Sequence, residues 1–214
     1  MVRALNSSAL RLPAALLGLL ALLFALAACG PSAPQVERLP AQAVILAFGD
    51  SLTHGTGAAD GESYPAVLER LIGRRVVAEG VPGEVSGAGL ARLAAALDRH
   101  VPDLLILCHG GNDILRRHDR ATTEANLRAM VELARGRSVD VVLIGVPEPG
   151  LWISEGAELY ARVAEAYRLP YEGEALAEIM VRGGLKSDAV HPNAAGYRRL
   201  AEAVAQLLRA AGAI

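Results

Sequence analysis

The sequence predicts a doubly wound α/β sandwich, and three observations carry that prediction. From Ala43 to the C-terminus, short apolar runs alternate with segments whose apolar residues recur at helical spacing. The runs are four to eight residues long, rich in Val, Ile and Leu, and mostly lack polar alternation, the pattern of strands covered on both faces. The connections are long enough for crossover helices, which parallel neighbours require.

The predicted strands are Ala43–Phe48, Arg75–Ala78, Asp103–Cys108, Val139–Val146 and a weaker one at Tyr167–Tyr171. Between them, Tyr64–Ile72, Gly89–His100, Thr123–Gly136 and Ala157–Ala166 read as helices, followed by Glu174–Val181. The chain closes with Asn193–Ala211, where Leu200, Val204, Leu207 and Leu208 share one helical stripe. No internal repeat or low-complexity tract interrupts the pattern, so residues 43–214 read as one domain.

The chain has 214 residues, and its 52% hydrophobic content is inflated by a leader in which 21 of the first 28 residues are apolar. Arg3 and Arg11 are the charged residues of that leader, leaving 19 basic against 23 acidic residues beyond it, a net charge of −4. Such weak acidity gives no electrostatic reason to bind nucleic acid. Two cysteines make no disulfide framework, and no Cys/His cluster has zinc spacing. His54, His100, His109 and His118 are scattered and lack evident acid partners in the sequence, so they read as structural; no metal or cofactor is implied. Cys108 lies in an apolar strand and reads as a buried free thiol.

A positive start followed by the apolar run Leu12–Ala27 is the layout of an export signal, too short for a spanning helix. The run ends in Leu26-Ala27-Ala28-Cys29-Gly30, which resembles the lipobox of bacterial lipoproteins. That resemblance implies removal of residues 1–28, lipidation of Cys29 and an exported protein of the cell envelope, held on a membrane by its acyl chains. Residues 29–42, with prolines at positions 31, 34 and 40, read as a flexible tether.

In a doubly wound sheet the ligand site lies beyond the carboxyl ends of the strands. Four polar or glycine-rich clusters fall at that edge: Gly49-Asp50-Ser51-Leu52, Glu79-Gly80-Val81-Pro82-Gly83-Glu84, His109-Gly110-Gly111-Asn112-Asp113 and Asp188-Ala189-Val190-His191-Pro192-Asn193. A serine hydroxyl is a weak nucleophile that needs a base within hydrogen-bond reach. His191 is the candidate base, and Asp188, three residues earlier, can orient its ring. Acyl transfer also needs donors for the oxyanion, and the Ser51 and Gly83 amides and the Asn112 side chain are candidates. Taken singly, each cluster also fits a turn or a helix cap. Asp50 reads as support for the Ser51 turn. Leu52 is a candidate substrate-pocket residue, and Leu151 and Trp152, in the loop after the fourth predicted strand, fit either the wall of an acyl pocket or a cover over the core.

Taken together, the Gly-Asp-Ser-Leu segment, Gly83, Gly111-Asn112-Asp113 and Asp188-Ala189-Val190-His191 resemble four conserved blocks of the SGNH hydrolases, also called GDSL esterases/lipases. The nearest likeness is to the bacterial arylesterase, acyl-CoA thioesterase and lysophospholipase group. The resemblance implies a flavodoxin-like three-layer α/β/α sandwich with a five-stranded parallel sheet and a serine esterase of acyl esters or thioesters. It makes Ser51 the nucleophile, His191 the base, Asp188 its partner, and Ser51, Gly83 and Asn112 the oxyanion donors. Two positions depart from the family pattern: Glu79-Gly80 stands where the second block usually opens Asn-Ala-Gly, and His109 precedes the glycines of the third. The same site would also serve an acyltransferase or a carbohydrate O-deacetylase, and a lipid-anchored binding protein reusing the fold is the non-enzymatic alternative. Oligomeric state is not legible.

Overall fold

The computed structural model describes residues 34–148 and 156–214. Five strands form a wholly parallel sheet in the order β2-β1-β3-β4-β5: β1 Val44–Gly49, β2 Arg75–Gly80, β3 Leu104–Cys108, β4 Asp140–Ile144 and β5 Tyr171–Glu172. This is the flavodoxin-like doubly wound order, whose switch point lies between β1 and β3. Central β3 is buried at all five positions, as its unbroken Leu-Leu-Ile-Leu-Cys run requires.

Two helical layers cover the sheet. On one face α2 (Tyr64–Ile72) packs against the C-terminal α8 (Ala194–Ala210), with α7 (Ala175–Val181) beside it. On the other, α3 (Ser86–His100) packs against α5 (Arg120–Arg135), which in turn meets α6 (Glu158–Tyr167). Two one-turn helices, α1 (Ser51–His54) and α4 (Gly111–Leu115), follow β1 and β3 directly. The core threads both interfaces, with Tyr64, Tyr160, Tyr197 and Phe48 among its largest fully buried side chains.

The main differences from the sequence expectation have physical causes. Helix α3 starts at Ser86, three residues before the predicted Gly89, because Asp113 captures both the Ser86 amide and hydroxyl at 2.7 Å. Helix α5 starts at Arg120 because Asp119 caps it, accepting from the Thr122 amide at 2.9 Å. The fifth strand is not at Tyr167–Tyr171. Helix α6 runs to Tyr167, Arg168 ends it in the left-handed conformation (φ 50°), and only two residues pair with β4.

Residues 34–42, read as part of a flexible tether, are instead held against the domain. Leu39 is buried, the Val36 amide donates to the Ala211 carbonyl at 3.2 Å, and the Leu39 amide donates to that of Ala213 at 2.8 Å. Arg74 clamps the Leu39 and Pro40 carbonyls. The leader, Cys29, Leu151 and Trp152 lie outside the described residues.

Candidate active site

Strand register builds the site. Gly49 pairs with Gly80 on one side and Cys108 on the other, so β1, β2 and β3 reach the same level at their carboxyl ends. Ser51, Gly83 and Asn112 follow within four residues and therefore share one rim. Gly49 permits the close approach, since a Cβ there would lie 2.0 Å from the Cys108 carbonyl oxygen. Cys108 itself is buried and free, and burial pushes its thiol well above the usual range.

Ser51 opens α1, which Asp50 caps by accepting from the Leu52 amide at 3.1 Å. Asp50 is 1% exposed, and burial raises its carboxyl above the ordinary value despite the nearby His109, the Leu52 amide and the Asn112 side chain.

His191 arrives from the far end of the sequence on a loop closed by its own hydrogen bonds. The Ser187 amide donates to the His191 carbonyl at 3.0 Å, and Asn193 caps α8 by accepting from the Gly196 amide at 3.1 Å. The His191 Nε2 lies 3.0 Å from the Ser51 Oγ across 140 residues of sequence. The His191 Nδ1 lies 2.7 Å from the Asp188 Oδ2. The other carboxylate oxygen of Asp188 accepts from the Val190 and His191 amides, each at 2.8 Å. The hydrogen bond from the His191 ring and that from the Val190 amide hold the Asp188 carboxyl below the usual range, outweighing slight burial. With Asp188 ionised, Nδ1 donates to it and Nε2 is left to accept from the serine.

Among the described residues, the Ser51 and Gly83 amides donate to no acceptor in the protein. The Asn112 side chain is committed differently: its Nδ2 donates to Asp50 Oδ2 at 3.2 Å and to the Glu84 carbonyl at 3.0 Å. To serve an oxyanion it must share the longer, Asp50-directed bond.

These groups open onto a cleft of about 640 Å³. Ser51, Gly83, Asn112 and His191 stand at one part of it, while Leu52, Ile114, Leu115, Val146, Met180 and Val181 contribute an apolar wall. Lys186 is the cation lining it among the described residues. Leu52, read from the sequence as a candidate pocket residue, is among the side chains lining this cleft.

Several participants had no usable signal in the sequence. Asp113, 3% exposed, joins α4 to α3 through Ser86, a pairing between side chains 27 residues apart. His100, His109 and His118 do have acid partners, namely Glu79, Glu84 and Asp113, which only folding brings near. Among the described residues, no group of three or more His, Cys, Asp or Glu side chains is placed to hold a metal ion.

Comparison with known proteins places this arrangement in context. Residues 47–199 match the model of the GDSL-like lipase/acylhydrolase family. The chain is 32% identical over 171 residues to esterase TesA of Pseudomonas aeruginosa, covering 75% of this chain and 85% of that protein. It is 27% identical over 179 residues to thioesterase 1/protease 1/lysophospholipase L1 of Escherichia coli K12, covering 80% and 86%. Among solved structures, the SGNH-hydrolase family esterase AlinE4 superimposes with a TM-score of 0.63 at 35% identity, covering 78% of this chain and 95% of that one.

Proposed function

This chain belongs to the GDSL-like lipase/acylhydrolase family and is a carboxylic ester hydrolase, and from that premise we propose that Ser51, His191 and Asp188 carry its reaction. The observation that supports the assignment is the continuous Ser51–His191–Asp188 contact chain, at 3.0 and 2.7 Å.

In this reading the His191 Nε2 accepts the Ser51 proton as the Oγ attacks the substrate carbonyl. The carbonyl oxygen becomes an oxyanion, received by the Ser51 and Gly83 amides and by the Asn112 Nδ2. Asp188 keeps the ring in the tautomer that accepts at Nε2 and steadies the imidazolium. That imidazolium then protonates the departing alcohol or thiol. Water, deprotonated by the same nitrogen, cleaves the acyl-enzyme and regenerates Ser51. Asp50 does not react; it fixes the turn that presents the hydroxyl.

The apolar wall of the cleft fits an acyl chain, and its volume suits a ligand of moderate size. Acyl esters and thioesters are therefore the substrate class, consistent with the thioesterase and lysophospholipase in the name of the Escherichia coli relative. Ser51→Ala should lower the hydrolysis of p-nitrophenyl butyrate and hexanoate by about a thousandfold or more and abolish labelling by a fluorophosphonate. Its melting temperature should stay near wild type, since the lost hydroxyl leaves no core cavity. Equal turnover by wild type and variant would refute the assignment.

The leader and the Leu-Ala-Ala-Cys segment support an envelope protein lipidated at Cys29. Radiolabelled palmitate should enter the wild-type chain in a bacterial host and not Cys29→Ser. Equal incorporation would remove the anchor from the reading.

A further inference from the structure

Glu79, Glu84 and His109, from the ends of β2 and β3 and the loop between β2 and α3, meet in one polar network. Its centre is Arg92, on α3. Its Nε donates to both carboxylate oxygens of Glu84 at 2.9 Å. One terminal nitrogen donates to the carbonyls of Gly49 and Glu79, each at 3.0 Å, and lies 2.8 Å from the Glu84 carboxylate. The guanidinium also stacks over the Phe48 ring, 3.9 Å from its centroid. A single side chain therefore links the ends of β1 and β2 to the loop that carries Gly83.

His109 closes the network from the third strand. It is fully buried, and its Nδ1 accepts from the Gly110 amide at 2.8 Å. The ring proton therefore sits on Nε2, which donates to Glu84 Oε2 at 3.1 Å. The space for the ring comes from Gly89, one turn before Arg92, where a Cβ would fall 2.2 Å from the His109 Nε2. Glu79 backs the arrangement from outside, 2.6 Å from the His100 ring, 2.9 Å from Arg99 and 3.6 Å from Arg92.

The geometry points to Glu84 as the positioning residue that aims the Asn112 amide at the oxyanion, with Arg92 and His109 holding Glu84 in place. The inference rests on the oxyanion role proposed above for Asn112. Glu84 acts through two parts of itself. Its carboxylate is fixed from β1, β2 and β3 by Arg92 and His109, and its carbonyl accepts one of the two Asn112 N–H groups. The other N–H, directed at Asp50 by the longer bond, is the one free to turn to the developing charge. Burial alone would raise the Glu84 carboxyl, but its bonds to Arg92 and His109 bring it below the usual range, so the anchor stays ionised at neutral pH. Such an arrangement improves the transition state without tightening the ground-state complex, because the donor is aimed before the charge appears.

The test is a double-mutant cycle on a chromogenic ester, with thermal melting as the folding control. Glu84→Gln removes the charge and mismatches one Arg92 donor while leaving the backbone carbonyl in the chain. It should lower kcat about thirtyfold and leave KM within about twofold. In an Asn112→Ala background the same change should cost less than about fivefold, since the group it aims is already gone. Equal losses in both backgrounds, a rise in KM at constant kcat, or an unchanged kcat would each overturn the proposal. Should Glu84→Gln melt below the assay temperature, Arg92→Lys replaces it with the same expectations, because a lysine cannot reach the carboxylate and both carbonyls together. If Asn112→Ala alone leaves kcat intact, the oxyanion reading itself has failed, a result separate from any outcome at Glu84.

Discussion

The two sides of the candidate site are built in opposite ways. The Ser51 side is wired over long sequence distances from buried groups: Asp50, Ser86, His109 and Asp113 are each at most 3% exposed, and their partners come from different strands and helices. The His191 side is wired locally. Asp188 holds His191 and its loop through three bonds spanning two or three residues, with a side chain 52% exposed. The contrast teaches that the Ser51, Gly83 and Asn112 groups take their positions from a frame set by the sheet, whereas the His191 ring takes its position from a short loop delivered to that frame. It also separates the two carboxylates by environment. Burial raises Asp50 above its ordinary value, and hydrogen bonding from an exposed position lowers Asp188.

Breaking the local side should have the largest effect after loss of Ser51 itself. Asp188→Asn retains an acceptor for the Val190 and His191 amides but can present an N–H to the His191 Nδ1, favouring the wrong tautomer. We expect kcat to fall by about three to four orders of magnitude, with a melting temperature within a few degrees of wild type. A loss under tenfold would mean that the ring needs no partner to keep its orientation.

Next in size is the buried side's donor. Asn112→Ala should cost about 3 kcal/mol in transition-state stabilisation, read as a fall in kcat/KM carried mainly by kcat. A loss confined to KM would place the side chain in substrate binding instead.

The smallest effect sharpens the comparison of the carboxylates. Because the folded protein raises the Asp50 pKa, Asp50 in the folded state binds a proton more tightly than in the unfolded chain. Its ionised form therefore costs stability, and that cost is relieved as pH falls through the raised value toward the unfolded one. Wild type should thus gain stability relative to Asp50→Asn as pH falls from neutral toward the unfolded carboxylate value, followed by thermal melting across that range. Asp188 has the opposite sign: its contribution is present above the unfolded carboxylate value and is lost only as pH falls through its lowered folded value. A wild-type-minus-variant difference that stays flat down to the unfolded carboxylate value would show that folding does not raise the Asp50 pKa.

Much of the fold was legible because burial on both faces leaves a direct mark in the sequence. The run at β3 and the helical stripe of α8 could hardly be read otherwise, and α2 falls at the predicted Tyr64–Ile72. The weakest prediction was the edge strand. Two residues of pairing leave almost no pattern, and the apolar Leu169 beside them is buried without being in the sheet. The described part of the supposed tether failed for a related reason: proline-rich composition suggests an unattached chain, while Leu39 is buried by partners at the opposite end of the sequence.

By itself, the sequence determined the class of sheet, the loops lying at its carboxyl edge, and the residue types available there. Period and polarity are local properties, so a chain read in order reveals them. Tertiary structure alone decided that the His191 ring meets the Ser51 hydroxyl, that the Asn112 amide is shared between Asp50 and Glu84, and that Arg92 and His109 converge on Glu84. Those contacts depend on strand register and helix packing, which bring together groups up to 140 residues apart and leave no spacing in the sequence to mark them.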